Sequence, residues 1–403
     1  MVGRAVLFLV LGFSAIYLVL GQHFGRLSND SVKNYTSYYG NTIAHNIAVS
    51  GANLGANQVF FDPTWTAGYS NLNFNGGTVN VSVNVLDSFK NIRQIVSTST
   101  YENYTSTVKV TLQPSSFSKF AYFSVYENGI WWVTGDTVFG PFHTQDYLRV
   151  AGSPVYNGKV TILKSILKYN SQSKPIFNGG FQQGVNLPLP TNGVTSLENA
   201  ANSGGHTFTG HDTVYVTFAN DSLRYKFAYN GPQTTVLTSS FAPNGAIVAD
   251  NAVLRIQGTV KGQLSVGATG SSGYGNIYID DNVVYNSDPR TNPGSTDLLG
   301  IVAKNNVIVT DNVPNRSDVI IDGAIYAEAG GFTAQNYSTR PPSGTIYLLG
   351  GITQYSRGAV GTFNSTGIST GFYKNYRYDN RLMSSSPPFF PNTGAFEIVS
   401  WYE

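Results

Sequence analysis

Hydrophobic residues dominate the start of the chain. Residues 5–21, AVLFLVLGFSAIYLVLG, are almost uniformly apolar, and His23 is the only ionisable residue between Arg4 and Arg26. As a helix, this run spans roughly 25 Å, slightly less than the ~30 Å hydrocarbon core of a bilayer. The pattern therefore predicts an apolar helix that contacts lipid or neighbouring subunits. The residues expected to make these contacts are Val6, Leu7, Leu9, Val10, Phe13, Ile16 and Leu20.

This stretch has three interpretations: a cleaved leader, a membrane anchor, or a helix buried in a filament. Arg4 and the small residues near Gly21 fit a leader with a short basic start and a cleavage site. The apolar run is longer than a usual leader and continues directly into a second helical pattern. We therefore expect residues 5–21 to be retained.

A helical period continues from residue 32 to residue 60. Larger apolar residues recur every three or four positions, and a line of small residues from Gly40 to Ala52 runs beside them. Pro63 ends the pattern. Residues 1–62 are therefore predicted to form one long helix, apolar in its first half and amphipathic in its second. The residues expected to dock this helix onto a head are Tyr39, Ile43, Ile47 and Leu54.

The period changes to two after the helix. GGTVNVSVNVLD and TSTVKVTLQ alternate Val or Leu with polar residues, which indicates half-buried strands. KFAYFSVYENGIWWVTGD predicts a hairpin that turns at Asn128-Gly129, with Trp131 and Trp132 packed inside. Residues 63–136 are therefore expected to form an antiparallel β head on the helix.

From residue 137 onward the chain repeats a motif of Gly, an apolar residue, a polar turn and alternating Leu, Val or Ile. It recurs at 140–152, 245–258 and 300–312, with weaker copies at 323–335 and 344–360. Short strands with Gly and Asn at the corners predict coils of a parallel β-helix. An ordinary β-sandwich is the alternative. Residues 137–403 are thus expected to form a β-helix-like domain, with a β-rich insertion near 164–240.

Taken together, these patterns predict a mainly β protein with one long N-terminal α-helix, an α+β head and a parallel β-helix-like domain. Composition limits the kinds of site and partner that the chain can have. Charged residues are only 11% of the chain, against roughly 25% in an average domain. Cys is absent, which excludes disulfides and thiolate metal sites, and the net charge of +2 does not favour nucleic acid.

The N-terminal pattern resembles type IV pilin-like proteins, particularly those with PilX-like beginnings. It rests on a short basic start, an apolar helix and an amphipathic half that ends NTIAHNIAVSGANLGANQVF. The resemblance implies that the apolar half lies in the inner membrane before assembly and in the filament core afterwards. Pilins carry Glu five residues after their processing site, whereas Ala5 stands at position 5 and the first acidic residue is Asp30. This difference favours a minor or accessory subunit.

The second half resembles an uncharacterised bacterial envelope family with a domain of unknown function attached to pilin-like N-termini. The resemblance rests on GPFHTQDYLRVAGSPVYNGKV, GTIYLLGGITQYSRGAVG, GFYKNYRYDNRL and PPFFPNTGAFEIVSW. It implies a β-helical core and an envelope location, and it brings no established activity.

Two groups of residues contain side chains of the types that bind metal ions. His206 and His211 stand five apart with Asp212 adjacent, as a metal-binding pair could. His143 follows Gly-Pro-Phe in a repeat and is instead expected to stack against the neighbouring coil. Asp280, Asp281, Asp288 and Asp297 lie near Arg290, and oxygen-rich loops of this kind can hold Ca²⁺. Neither group has a recognised ligand spacing, so no metal, cofactor or catalytic residue is predicted.

The function expected from the sequence is structural and non-enzymatic. It is a cell-envelope or type IV pilus-like filament subunit, anchored in the inner membrane with its body in the periplasm or outside the cell. Its expected partners are membrane lipid before assembly, other pilin-like subunits or copies of itself, and surface glycans, but no nucleic acid. The alternatives are a secreted β-helix carbohydrate-active enzyme and a glycan-binding surface adhesin.

Overall fold

The computed structural model describes residues 2–88, 91–271, 273–364 and 367–403. The chain divides into two compact units. The head unit comprises the residues up to Gln113 together with Phe396–Glu403, and the body unit is Pro114–Ala395. The sequence placed the end of the head at residue 136, whereas residues 114–136 lie in the body. The head also takes its last strand from the far end of the chain.

The head unit contains helix α1 (Val2–Phe61) and a five-stranded sheet. Its strands are β1 (Tyr69–Phe74), β2 (Gly77–Asp87), β3 (Ile92–Tyr101) and β4 (Tyr104–Ser116), which are antiparallel neighbours, and β30 (Asn392–Tyr402), which lies beside β4. Val79 and Val81 of β2 and Val108, Val110 and Leu112 of β4 form the buried inner face of the sheet, as their period predicts. Val85, near the end of β2, is exposed.

Helix α1 packs on this sheet through its line of small residues. Ala44, Ala48 and Ala52 are fully buried against Val and Ile side chains of the strands. The approach is so close that a Cβ atom added to Gly51 would lie 2.5 Å from both a methyl carbon of Val79 and the hydroxyl oxygen of Ser97. The helix therefore docks along its smallest side chains, which let the two backbones come together.

The sequence assigned the docking face to the larger residues of the same half. Ile47 is fully buried in the head core and Ile43 is half-buried, but Tyr39 is 50% exposed and Leu54 is 38% exposed. The difference has a steric cause. Because the small-residue line sits at the centre of the contact, bulky side chains a quarter-turn or more away are displaced to its flanks.

The body unit is built from short strands that stack in parallel. Its first group is β5 (Tyr122–Tyr126), β6 (Trp132–Val133), β7 (Thr137–Val138), β8 (Phe142–Thr144), β9 (Leu148–Ala151), β10 (Val155–Tyr156), β11 (Val160–Ile162), β12 (Ile166–Lys168), β13 (Ile176–Phe177) and β14 (Phe181–Gln183). Three parallel stacks result: β5-β8-β11-β14, β6-β9-β12 and β7-β10-β13.

The second group of strands enters after helix α2 (Gly193–Gly204). It comprises β15 (His206–Phe208), β16 (Thr213–Asn220), β17 (Ser222–Lys226), β18 (Thr234–Leu237), β19 (Ala246–Ala249), β20 (Val253–Val260), β21 (Gln263–Ala268), β22 (Ile277–Tyr285), β23 (Leu298–Ala303), β24 (Val307–Val309), β25 (Val319–Ala327), β26 (Phe332–Ala334), β27 (Pro342–Ser356), β28 (Gly361–Asn364) and β29 (Gly367–Arg377). A short helix α3 (Thr238–Phe241) follows β18, and 3₁₀ turns occupy Phe117–Lys119, Pro314–Arg316 and Asn380–Met383.

One column of residues joins the two groups in register. Each member is the parallel partner of the next, and all but the last are fully buried or nearly so. In stacking order the column is Ile247, Val266, Ile301, Ile325, Ile352, Tyr122, Phe142, Val160 and Phe181. Ile352 pairs with Tyr122, so the last repeat, in β27, stacks on β5, the first strand of the first group. The fold class is confirmed as mainly β, with one long N-terminal helix and parallel sheets.

The segment 184–205 was predicted as part of a β-rich insertion, but it contains α2. The strands before and after it, β14 and β15, are nine parallel steps apart, or roughly 43 Å at the usual strand spacing. Nine extended residues and a 12-residue helix cover roughly 48 Å. Leu187, Leu189 and Leu197 pack on the outside of the stack, which buries both faces of this sheet.

The predicted hairpin at Asn128-Gly129 is not formed. Both residues have positive φ, 50° and 72°, as a tight turn requires. However, β5 pairs in parallel with β8 and β27, and β6 pairs in parallel with β9. The turn is therefore a corner of a coil. Trp132 faces the core, while Trp131 lies on the outer side and is half-buried.

A buried ion pair closes the seam where β5 meets β27. Glu127 and Arg357 are almost wholly buried, and a guanidinium nitrogen of Arg357 donates to the Glu127 carboxylate at 2.9 Å. The indole of Trp132 donates to the same carboxylate at 3.0 Å, and Tyr122 donates to its other oxygen at 3.1 Å. Because several donors converge on it, the carboxylate is well satisfied despite its burial.

We expect Ile47→Asp to destabilise the head by about 3–5 kcal/mol, because it removes core volume and buries an unpaired carboxylate. The matched change Leu54→Asp, on the same helix but exposed, should alter the free energy of unfolding by less than about 1 kcal/mol. Urea unfolding of the full chain measures both. Equal losses in the two variants would contradict the observed docking face.

We expect Glu127→Ala to destabilise the body by about 3–5 kcal/mol, because the Arg357 charge is then buried without its partner. Asp221→Ala breaks the exposed Lys261–Asp221 pair and should change stability by about 1 kcal/mol at most. Circular dichroism during urea unfolding compares the two. A Glu127→Ala variant as stable as Asp221→Ala would show that the seam does not depend on this pair.

Candidate functional site

The first half of α1 is the most distinctive surface of the molecule. Described side chains from Gly3 to Tyr39 are exposed, and the apolar ones predicted to contact lipid or subunits are all among them. Their exposed fractions range from 44% to 60% for Val6, Leu7, Leu9, Val10, Phe13, Ile16 and Leu20. By length and composition, this is a helix that can cross a membrane.

The helix is continuous through the change of environment. All 60 residues of α1 are helical, which gives a rod of about 90 Å. The exposed apolar half and the half docked on the sheet therefore share one backbone hydrogen-bond ladder. Polar side chains in the intervening turns bond back to that ladder, as when the Thr36 hydroxyl donates to the carbonyl of Val32 at 2.9 Å. The exposed apolar segment and the docked segment are thus parts of a single continuous helix.

His206 and His211, the candidate metal ligands, each stack on an aromatic ring. His206 stacks on Phe241 with ring centroids 3.8 Å apart, and His211 stacks on Phe227 at 3.5 Å. Asp212 accepts a hydrogen bond from the Tyr274 hydroxyl at 2.6 Å. Among the described residues, no group of three or more His, Asp or Glu side chains is arranged to hold a metal ion.

The acidic residues of 280–297 are also engaged within the fold. Each carboxylate accepts hydrogen bonds from a neighbouring side chain or backbone N–H. The donors are Arg255 to Asp280, Asn282 to Asp281, Arg290 to Asp288, and Gly262 and Ser287 to Asp297. The bidentate Arg255–Asp280 pair lies on the outer side of the stack, with bonds of 2.6 and 2.9 Å. The contacts of Asp280 and Asp297 with Arg255 and Gly262 link neighbouring coils, whereas those of Asp281 and Asp288 are local.

His143 occupies the outer side of the buried sheet. Its ring stacks on that of Phe123, with centroids 5.0 Å apart, and its Nδ1 lies 2.7 Å from the hydroxyl of Thr161 on the next coil. Burial lowers the pKa of His143 to about 4. It is therefore a neutral packing residue, as the repeat pattern indicated.

The docking face predicted from the sequence did not include the line of small residues, although Gly40, Ala44, Ala48 and Ala52 are spaced four apart in the sequence. A rule that the smallest side chains mark the closest backbone approach would have identified it. The Glu127–Arg357 pair had no such signal, since its members are 230 residues apart in the chain.

Comparison with known proteins gives a distant structural likeness to a solved structure. No protein-family model matches the chain, and no curated protein matches it. Among solved structures, the chain is similar to the crystal structure of competence-associated pilin ComZ from Thermus thermophilus, with a TM-score of 0.38 and 12% sequence identity. The likeness covers 84% of this chain and 86% of that chain. At this distance it carries no conclusion about activity or partners.

We expect the buried His143 to make stability depend on pH. Between its ordinary pKa of 6.5 and about 4, the unfolded chain binds a proton that the folded chain excludes. Its contribution is therefore complete above pH 6.5 and is lost as the pH falls through this window. Replacing it by Gln should remove about 2–3 kcal/mol of the stability change between pH 7.5 and 4.5.

The comparison uses the difference between wild type and His143→Gln, because Asp322 has the opposite dependence. Burial raises the pKa of Asp322 to about 6, so its protonated form stabilises the fold at low pH. Urea unfolding at several pH values gives the difference, with His211→Gln as the control on the exposed surface. If His143→Gln leaves the pH dependence of stability unchanged, His143 binds a proton as readily in the folded chain as in the unfolded chain, which would contradict this prediction.

Proposed function

We propose that this protein is a structural subunit of an envelope-anchored, type IV pilus-like filament. In this proposal the exposed half of α1 holds the chain in the membrane before assembly and packs among neighbouring subunits afterwards. The single supporting observation is the continuous helix, in which one half is apolar and exposed while the other forms part of the head core.

Removing the exposed apolar side chains of α1 from water is strongly favourable. A Val, Leu, Ile or Phe side chain gains about 1.5–3 kcal/mol when it is removed from water, and residues 5–21 contain many of them. A helix satisfies its own backbone hydrogen bonds in lipid, and it also does so among other helices. Both environments therefore suit this segment, and filament assembly exchanges one for the other.

An accessory rather than a major role follows from the missing acid. The segment from Arg4 to Asn29 has no carboxylate, and Ala5 stands where the resembling pilins carry Glu. A subunit without this carboxylate lacks a charged group that could fix its position against the next subunit. Gly12 and Gly21 still permit close helix packing. We therefore propose an accessory subunit of non-enzymatic function, located in the inner membrane before assembly.

We expect the double variant Leu9→Arg/Phe13→Arg to lose membrane association. An arginine near the centre of a spanning helix costs about 2.5–3.5 kcal/mol, so the two should shift partitioning by at least about a thousandfold. Flotation of the full chain with liposomes measures this shift. The control Tyr35→Arg/Tyr38→Arg lies on the exposed polar part of the same helix and should float like wild type.

The assembly half of the proposal has its own test. Because the chain contains no Cys, Gly12→Cys introduces a single thiol per subunit. A photoreactive maleimide attached to this thiol should cross-link the chain to its neighbouring subunits in assembled material, whereas the same label on Asn34→Cys, outside the apolar run, should cross-link less. If the chain floats with liposomes but does not cross-link, the helix is a membrane anchor and assembly through it is refuted.

A further inference from the structure

The body carries an exposed group of aromatic side chains, here named the aromatic face. Trp131 and Tyr169 lie with ring centroids 5.4 Å apart at an interplanar angle of 89°, and Tyr126 and Tyr355 lie 5.2 Å apart at 70°. Tyr147 is the fifth member. Tyr169 is 69% exposed, and the other three tyrosines are between 36% and 46% exposed.

The parallel register brings these rings together. In the β6-β9-β12 stack, Trp132 lies opposite Val150 and Leu148 lies opposite Ile166, and these side chains face the core. Their sequence neighbours consequently point outward, among them Arg149 and Leu167, which are partners in adjacent coils. Coils repeat every ~4.8 Å, so side chains that are 20 residues apart in sequence form one surface.

The charge around the aromatic face is positive. Between Asp146 and Glu198 the chain has five Lys or Arg residues and no acidic residue. The ammonium of Lys164 lies 4.9 Å from the ring centre of Tyr147, and the guanidinium of Arg149 lies 5.8 Å from it. Both cations pair with the mostly buried Asp146 carboxylate, which accepts hydrogen bonds from Lys164 at 2.8 Å, from Arg149 at 3.5 Å and from the backbone N–H of Glu127 at 3.2 Å. These three side chains together carry a net positive charge.

We propose that the aromatic face binds an anionic polysaccharide. The C–H faces of sugar rings pack on exposed aromatic rings, and carboxylates of acidic sugars form charge-assisted hydrogen bonds with Lys and Arg. The face combines both kinds of group within adjoining coils, and the fold does not bury its rings. This proposal is independent of the proposed filament function, since a free or anchored chain presents the same surface.

The geometry favours a glycan over a nucleic acid. Successive bases of a single strand stack on aromatic rings along a continuous column. Here the two ring pairs are close to perpendicular, so they do not form such a column. Sugars contact rings one at a time and do not require the rings to be parallel.

The test is affinity electrophoresis of the full chain in detergent, in gels that contain polygalacturonate, alginate or neutral dextran. Wild type should be retarded by the two acidic polymers and not by dextran. Tyr147→Ala/Tyr169→Ala should weaken binding by about tenfold or more, because it removes two exposed rings. Arg149→Gln, on the outward side of the same stack and with its guanidinium 5.8 Å from the Tyr147 ring centre, should weaken binding by about threefold and reduce its dependence on salt.

Two controls match these variants. Tyr229→Ala removes a tyrosine that is 74% exposed elsewhere on the body, and Lys109→Gln removes an exposed lysine from the head. Both should bind within about twofold of wild type. All variants should keep the wild-type unfolding midpoint, which separates lost binding from lost folding.

Three results would overturn the proposal. The first is no retardation of the wild type by either acidic polymer. The second is an equal loss of binding in the control variants, which would mean that binding is only diffuse charge attraction. The third is binding of oligo-dT that the same aromatic substitutions abolish with no effect on polygalacturonate, which would assign the face to single-stranded nucleic acid.

Discussion

The close packing of small residues on α1 against the head sheet is the contact on which the proposed function depends. A helix of 60 residues has no stable position in water by itself when its first third is apolar on every side. The buried line at Ala44, Ala48 and Ala52 ties its second half to the core of the head. The apolar half is then held as a continuation of a packed helix and remains exposed for lipid or for other subunits.

The body depends on a different constraint, which is parallel register. Each coil covers the apolar side chains of the one before it, so a single column runs through segments from both halves of the unit. The seam between residues 122 and 352 is where the chain's first and last repeats meet. There the core admits the Glu127–Arg357 pair, whose burial demands a specific partner and so disfavours other registers.

The outer side of the coils is free to vary in chemistry because the inner side maintains the fold. Where α2 and the preceding linker cover it, the outer residues are apolar or neutral, as at Val302 and His143. Where it is open, it carries charged and aromatic side chains such as Lys164 and Tyr169. A structural subunit and a binding surface are therefore compatible in one chain.

The sequence by itself determined the elements that depend on neighbouring residues. Helical and two-residue periods identified α1, β2 and β4, and the repeated Gly motif indicated parallel coils, because these patterns follow from local backbone geometry. Only the tertiary structure decided which face of α1 docks, where the head ends and how β5 pairs. These depend on contacts between distant residues: Gly51 against Val79, the return of β30 to the sheet, and residue 352 stacking on residue 122. The Asn128-Gly129 turn shows why, since the same corner serves a hairpin or a coil, and only the strand it stacks on decides between them.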